Sequence, residues 1–194
     1  MKTKTSSVKK TPVKKNKPVK NITNFPPVVL LGFMGAGKTV VAATLAEKLG
    51  SRWIDLDEIL ETTERKSINE LFEKFGETVF REIESAALVE ALAGKTIGVI
   101  ALGGGTWTIE ANRQAAQNNG FLSIWLDAPF ELCWTRIKKE KAVRPLATKK
   151  TEARKLFNGR QKIYAESNLR IEIAETDLPE TIADKIMQLV KAKK

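Results

Sequence analysis

An unbroken apolar run, Val28-Val29-Leu30-Leu31, leads directly into Gly32-Phe33-Met34-Gly35-Ala36-Gly37-Lys38-Thr39. That segment fits G-x-x-x-x-G-K-[ST], and behind it Val41, Leu45 and Leu49 recur at helical spacing before Gly50. A strand with no polar alternation is buried on both faces, so the strand–loop–helix unit belongs in a parallel sheet covered by helices. Glycines let the loop turn back until several N–H groups point into one concavity, and the helix behind adds its positive end. The ligand such a cradle takes is a polyphosphate. Gly35, Ala36, Gly37, Lys38 and Thr39 are the expected nucleotide contacts. Lys38 is placed to bridge the β- and γ-phosphates, and Thr39 to bind Mg²⁺.

The rest of the chain repeats the alternation. Short strands are expected at 52–54, 97–102, 121–126 and 169–173. Helices are expected at 56–63, 68–75, 77–93, 109–118, 129–139 and 152–165, with Ser67 and Gly76 as punctuation. The closing helix opens at Pro179 and is expected to bury Ile182, Ile186 and Leu189 on one face. Residues 140–151, charged and interrupted by Pro145, read as a mobile loop. The expected class is a three-layer α/β/α fold around a five-stranded parallel sheet.

Composition removes several chemistries. The 194 residues include no histidine, which excludes Ser-His-Asp triads, His-ligated zinc and imidazole acid–base catalysis. The one cysteine, Cys133, has no partner for an intrachain disulfide and fits a reducing, cytoplasmic compartment. Eight of the net ten positive charges are lysines within residues 1–26, so the rest of the chain is close to neutral. Residues 1–27 are expected to be a disordered, solubilising tail, with 28–194 as the catalytic domain. The sharper alternative is an electrostatic contact of the tail with nucleic acid or anionic lipid, though no aromatic residue interleaves the lysines for base stacking. No apolar stretch approaches the ~20 residues of a membrane span. A GTPase would need N-K-x-D, and the only Asn-Lys pair, Asn16-Lys17, continues as Pro18-Val19.

The second substrate is approached through carboxylates, glycines and arginines. Asp55-Leu56-Asp57 closes the second strand: one carboxylate there can hold Mg²⁺ through water and the other can reach a hydroxyl, or either can cap the helix that follows. Arg81, in Phe80-Arg81-Glu82-Ile83-Glu84, either faces a cleft paired with Glu84 or is a solvated helix charge. Gly103-Gly104-Gly105 ends a buried strand, where ligands bind in parallel sheets. Arg144, in Arg144-Pro145-Leu146, sits in the charged loop, from which an arginine can close on a γ-phosphate. Arg160 and Tyr164 share a helix face one turn apart.

Taken in order, the phosphate loop, Asp55-Leu56-Asp57, Ser67-Ile68 through Glu84, the triple glycine and Arg144-Pro145-Leu146 with Arg160 resemble the shikimate kinase family over residues 28–190. The resemblance implies transfer of the ATP γ-phosphate to the 3-hydroxyl of shikimate, on the route to aromatic amino acids, by a monomer. It implies that Asp57 contacts the attacking hydroxyl and acts as base, and that Asp55 and Thr39 hold Mg²⁺. It gives Arg81 and Arg160 the shikimate carboxylate, Gly103, Gly104 and Gly105 the substrate site, Arg144 the phosphates and Arg136 the adenine. Arg65 stands where the family usually has glycine. A kinase for another polyol acid, such as gluconate, is the alternative within the class, and an ATP-dependent binding module using the tail is the alternative outside it.

Overall fold

The computed structural model describes residues 25–94, 96–139 and 149–192. Most of the Lys-rich tail and the segment carrying Arg144 lie outside the described residues.

Strands β1 (Val28–Leu31), β2 (Arg52–Asp55), β3 (Ile97–Ala101), β4 (Leu122–Asp127) and β5 (Leu169–Glu172) form one sheet in the order β2-β3-β1-β4-β5. Every pairing is parallel, and β1 lies between β3 and β4 with Val29 opposite Ile100 on one side and Ser123 on the other. All four residues of β1 are buried, as a strand flanked by sheet on both edges and helices on both faces must be. Because strand order reverses at β1, the crevice beyond its carboxyl end is where this architecture binds ligands. The carboxyl ends of β2, β3 and β1 are neighbours there, which brings Asp55, Gly103 and the Gly32–Thr39 loop to one edge.

The helices are α1 (Lys38–Leu49), α2 (Leu56–Glu64), α3 (Ile68–Leu92), α4 (Glu110–Asn118), α5 (Phe130–Lys139), α6 (Lys150–Tyr164) and α7 (Pro179–Ala192). Ser67 starts α3 with a capping box: its hydroxyl accepts from the Glu70 N–H at 3.2 Å, and the Glu70 carboxylate accepts from the Ser67 N–H at 2.7 Å. Gly76, at φ 73° and ψ 172°, breaks α3 where two helices were expected. The α2–α3 hairpin closes its own small core of Leu60, Leu71 and Phe80, which joins the main core through Ala87.

Two expectations need correction, and one element is added. The buried face of α7 is Ile182, Ala183, Ile186 and Val190, whereas Leu189 is 42% exposed. At about 100° per residue the stripe is centred between Ile186 and Val190, which turns Leu189 past its edge. Helix α6 begins at Lys150, two residues early, where Lys150 (2.8 Å) and Arg154 pair with Glu131 of α5. Between β3 and α4 the chain makes a short 3₁₀ turn, Thr106–Thr108, that buries Trp107.

Arg65 ends α2 at φ 53° and ψ 37°, the left-handed conformation that glycine adopts without cost. Arg65 therefore carries a backbone strain that glycine would avoid at this turn.

Candidate active site

The phosphate loop is built as its spacing requires. Gly35 has φ 77°, and a Cβ there would lie 2.6 Å from the Cys133 carbonyl oxygen, so α5 packs directly on the loop backbone. Burial pushes the Cys133 thiol up to about 11, which keeps it an inert packing group. Arg136, from the same helix, donates to the Gly35 carbonyl at 3.2 Å. Lys38 Nζ donates to the carbonyls of Gly32 (3.0 Å) and Phe33 (3.1 Å), which holds the ammonium over the loop's concavity. Phe33 is buried, edge-on to Phe157 of α6 with centroids 5.2 Å apart.

The two aspartates sit differently, and the capping role falls to Asp55. Asp55 is the N-cap of α2: its Oδ1 accepts from the Asp57 N–H at 2.9 Å. Its Oδ2 accepts from the Thr39 hydroxyl at 2.5 Å. One carboxylate thus fixes both the start of α2 and the end of the phosphate loop. Asp57, in the first turn of α2, faces the triple glycine, where a Cβ on Gly103 would lie 2.8 Å from its Oδ1.

Two cavities flank that aspartate. The larger, about 460 Å³, runs over Gly35–Thr39 and Arg136 to Asp177, Pro179 and Ile182. The smaller, about 60 Å³, lies between α3 and the triple glycine and is bordered by both Arg81 and Arg160. Met34, Asp57 and Gly104 border both cavities, so the two meet at this carboxylate.

Each guanidinium is held from behind. Arg81 Nη1 donates to Glu84 Oε2 at 2.6 Å, Nη2 reaches Glu77 at 3.3 Å, and the Arg81 guanidinium carbon lies 5.2 Å from the Phe80 ring centre. Glu84 is only 1% exposed, and its second oxygen accepts from the Thr106 hydroxyl at 2.6 Å. A buried carboxylate needs such full pairing. Arg160 is 7% exposed and lies against Gly104, where a Cβ would come within 3.2 Å of its Nη1. A Cβ on Gly105 would lie 2.5 Å from the Arg81 guanidinium carbon. The glycines therefore let backbone and five side chains (Asp57, Arg81, Glu84, Thr106 and Arg160) converge, which any larger residue would prevent.

The structure brings together every sequence-derived site residue except Arg144, which lies outside the described residues. Sequence reasoning missed Thr106 and the wall formed by Asp177, Pro179 and Ile182. For Thr106, the available signal was a hydroxyl residue immediately after the triple glycine. The Asp177 carboxyl is held below its usual range, first by the Ala174 backbone N–H and then by Lys185, which ties that wall to α7.

A family model described as shikimate kinase matches residues 34–191. The shikimate kinase of Persephonella marina is 38% identical over 165 residues, covering 84% of this chain and 98% of that protein. The chain belongs to the shikimate kinase family. Among family members, the enzyme of Ruegeria pomeroyi is 36% identical over 86% of each chain. A shikimate kinase from Acinetobacter baumannii, solved in complex with shikimate, matches with a TM-score of 0.82 and 34% identity over 88% of this chain and 96% of that one. A gluconokinase from Sinorhizobium meliloti, at 16% identity and a TM-score of 0.59 over 87% of this chain and 96% of that one, shares the fold alone. The sequence expectation of a shikimate kinase with a five-stranded parallel sheet holds.

Proposed function

We propose that this chain transfers the γ-phosphate of ATP to the 3-hydroxyl of shikimate, giving shikimate 3-phosphate and ADP in aromatic amino acid biosynthesis. The observation that carries the reading is the meeting of the two cavities at Asp57, with both guanidiniums bordering the smaller one and the phosphate loop lining the larger. Polyphosphate lies on one side of the carboxylate and a small anionic polyol on the other, so phosphorus and hydroxyl face each other across it.

The residue roles belong to the same proposal, and the placement of the described residues supports it. The N–H groups of Gly35 to Thr39 and the Lys38 ammonium hold the β- and γ-phosphates. Arg136, Pro179 and Ile182 line the larger cavity with the phosphate loop and take the adenine there. Arg81 and Arg160 grip the shikimate carboxylate as charge-assisted donors, with the backbone of Gly103, Gly104 and Gly105 beside them. Asp57 hydrogen-bonds the attacking hydroxyl and takes its proton as the oxygen forms its bond to phosphorus and ADP departs. Arg144, on the segment between α5 and α6, closes on the transferring group. The Thr39 hydroxyl and Asp55 carboxylate are hard oxygen donors side by side, a set that suits Mg²⁺. That ion, when bound, neutralises charge on the β- and γ-phosphate oxygens. Catalysis here is positioning and charge stabilisation, for which no histidine is needed.

The proposal includes action as a monomer in a cytoplasmic setting, where ATP is supplied. Among the described residues no helix is long and apolar enough to cross a membrane. The decisive experiment is ADP release with ATP, Mg²⁺ and a panel of polyol acids. Shikimate is expected to stimulate turnover; stimulation by gluconate and not by shikimate overturns the proposal.

A further inference from the structure

We infer that Tyr164 is a positioning residue for the acceptor's carboxylate, acting through Arg160 and the peptide between Gly104 and Gly105. The inference rests on the acceptor pocket as read above. Tyr164 is the largest of the fully buried side chains, and its ring lies 6.0 Å from that of Trp125. A phenol at that depth needs partners for its hydroxyl. It donates to the Gly104 carbonyl at 2.5 Å, and the Arg160 guanidinium lies against the same glycine, where a Cβ would come within 3.2 Å of its Nη1. Phenylalanine would fill the same volume, so what the hydroxyl adds is orientation.

Two orientations are set at once. In a planar trans peptide the carbonyl and the following N–H point in opposite directions, and no described peptide is cis. Drawing the Gly104 carbonyl toward Tyr164 therefore aims the Gly105 N–H the other way. Gly105 borders the acceptor cavity together with Arg81 and Arg160, whereas Tyr164 does not. Glycine has no side chain to hold a preferred conformation, so an anchor outside the turn is the means of fixing that peptide. Because the Arg160 guanidinium packs against Gly104, a peptide fixed there also limits how that guanidinium can turn, and a bidentate grip on a carboxylate depends on its plane. Tyr164 thus presets two donors that meet the same anionic group without touching it.

The test compares Tyr164→Phe with wild type on shikimate and on its methyl ester, which keeps the ring hydroxyls and lacks the anionic carboxylate. The variant is expected to raise the KM for shikimate about tenfold, with kcat changed less than about threefold and the KM for ATP within about twofold. The preference for acid over ester, as a ratio of kcat/KM values, should shrink by about tenfold. Equal loss on acid and ester marks a merely structural role and overturns the inference, as does no loss on either. A wild type silent with shikimate refutes the functional reading and this inference with it; an active wild type with an indifferent variant refutes this inference alone. Should the variant not fold, a crystal structure of the wild type with shikimate decides. A carboxylate on the Gly105 N–H and Arg160 supports the inference, and a carboxylate bound to neither overturns it.

Discussion

Glu84→Ala is the perturbation that best separates an acceptor clamp from a stray helix charge. Glu84 is 1% exposed and offers one oxygen to Arg81 and the other to Thr106, both at 2.6 Å. Removing one partner of a buried ion pair costs about 3–5 kcal/mol. Arg81 keeps Glu77 at 3.3 Å and its contact with the Phe80 ring, and its side chain is 17% exposed, so the lower end of that range applies. A loss of about 3 kcal/mol in a domain of this size lowers Tm by roughly 6–12 °C. The guanidinium, no longer held toward the triple glycine, should bind acceptor about tenfold more weakly or worse, with the KM for ATP within about twofold. Glu84→Gln keeps the shape and can remake both hydrogen bonds, so it should lose only about half as much stability. Thermal melts of both variants, with initial rates varied separately in ATP and shikimate, read all of this. An alanine variant that melts within about 2 °C of wild type and keeps its shikimate KM would refute the reasoning, because the carboxylate would then neither support α3 nor orient Arg81.

The sheet was legible because its signal is local. Val28–Leu31 is a short apolar run and Leu122–Asp127 a mostly apolar one, each bounded by turn residues as a covered parallel strand is, and the loop after β1 has few backbone solutions. Residues whose meaning depends on contacts across the chain were harder. Arg81 and Glu84 are neighbours on any helix, but whether that helix turns them to a cleft is decided by the Leu60, Leu71 and Phe80 core beneath them. Tyr164 meets Gly104 across 60 residues, and no spacing rule announces it. Asp55 shows the opposite case. The sequence left capping and ligand roles as alternatives; in the structure one oxygen caps α2 and the other accepts from the Thr39 hydroxyl, so capping leaves the second oxygen at the phosphate loop. On α7, alternatives one residue apart, Leu189 and Val190, are separated only by how the helix rolls onto the sheet.

The remaining predictions probe the loop, the glycines, one strained turn and the buried acids. Lys38→Ala should reduce kcat by about 10³-fold or more in single-turnover assays while the protein still melts as wild type. Gly105→Ala places a Cβ 2.5 Å from the Arg81 guanidinium carbon, and overpacking of about 1–3 kcal/mol should appear as a raised shikimate KM with an unchanged KM for ATP. Arg65→Gly removes a left-handed non-glycine residue at φ 53°, a strain of about 1–2 kcal/mol, against about 0.5–1 kcal/mol of added unfolded-state entropy. Its melting temperature should therefore equal or exceed that of wild type; a clear fall would show that the arginine side chain matters more than the backbone strain. The last prediction concerns alkali. Burial raises the Cys133 thiol to about 11 from an ordinary 9.0 and the Tyr164 phenol to about 12 from 10.0. Both groups stay protonated in the native state at a pH where the unfolded chain has already released the protons. Their contribution is thus complete below about pH 9 and is lost as pH rises toward 11 and 12, at up to about 1.4 kcal/mol per pH unit for each group titrating only in the unfolded chain. Cys133→Ala removes one titration, so the slope of unfolding free energy against pH between about 9 and 11 should become shallower by about one proton's worth. An unchanged slope in urea melts across that window would mean that the thiol ionises as readily in the folded protein as outside it, and that α5 does not seal it against the phosphate loop.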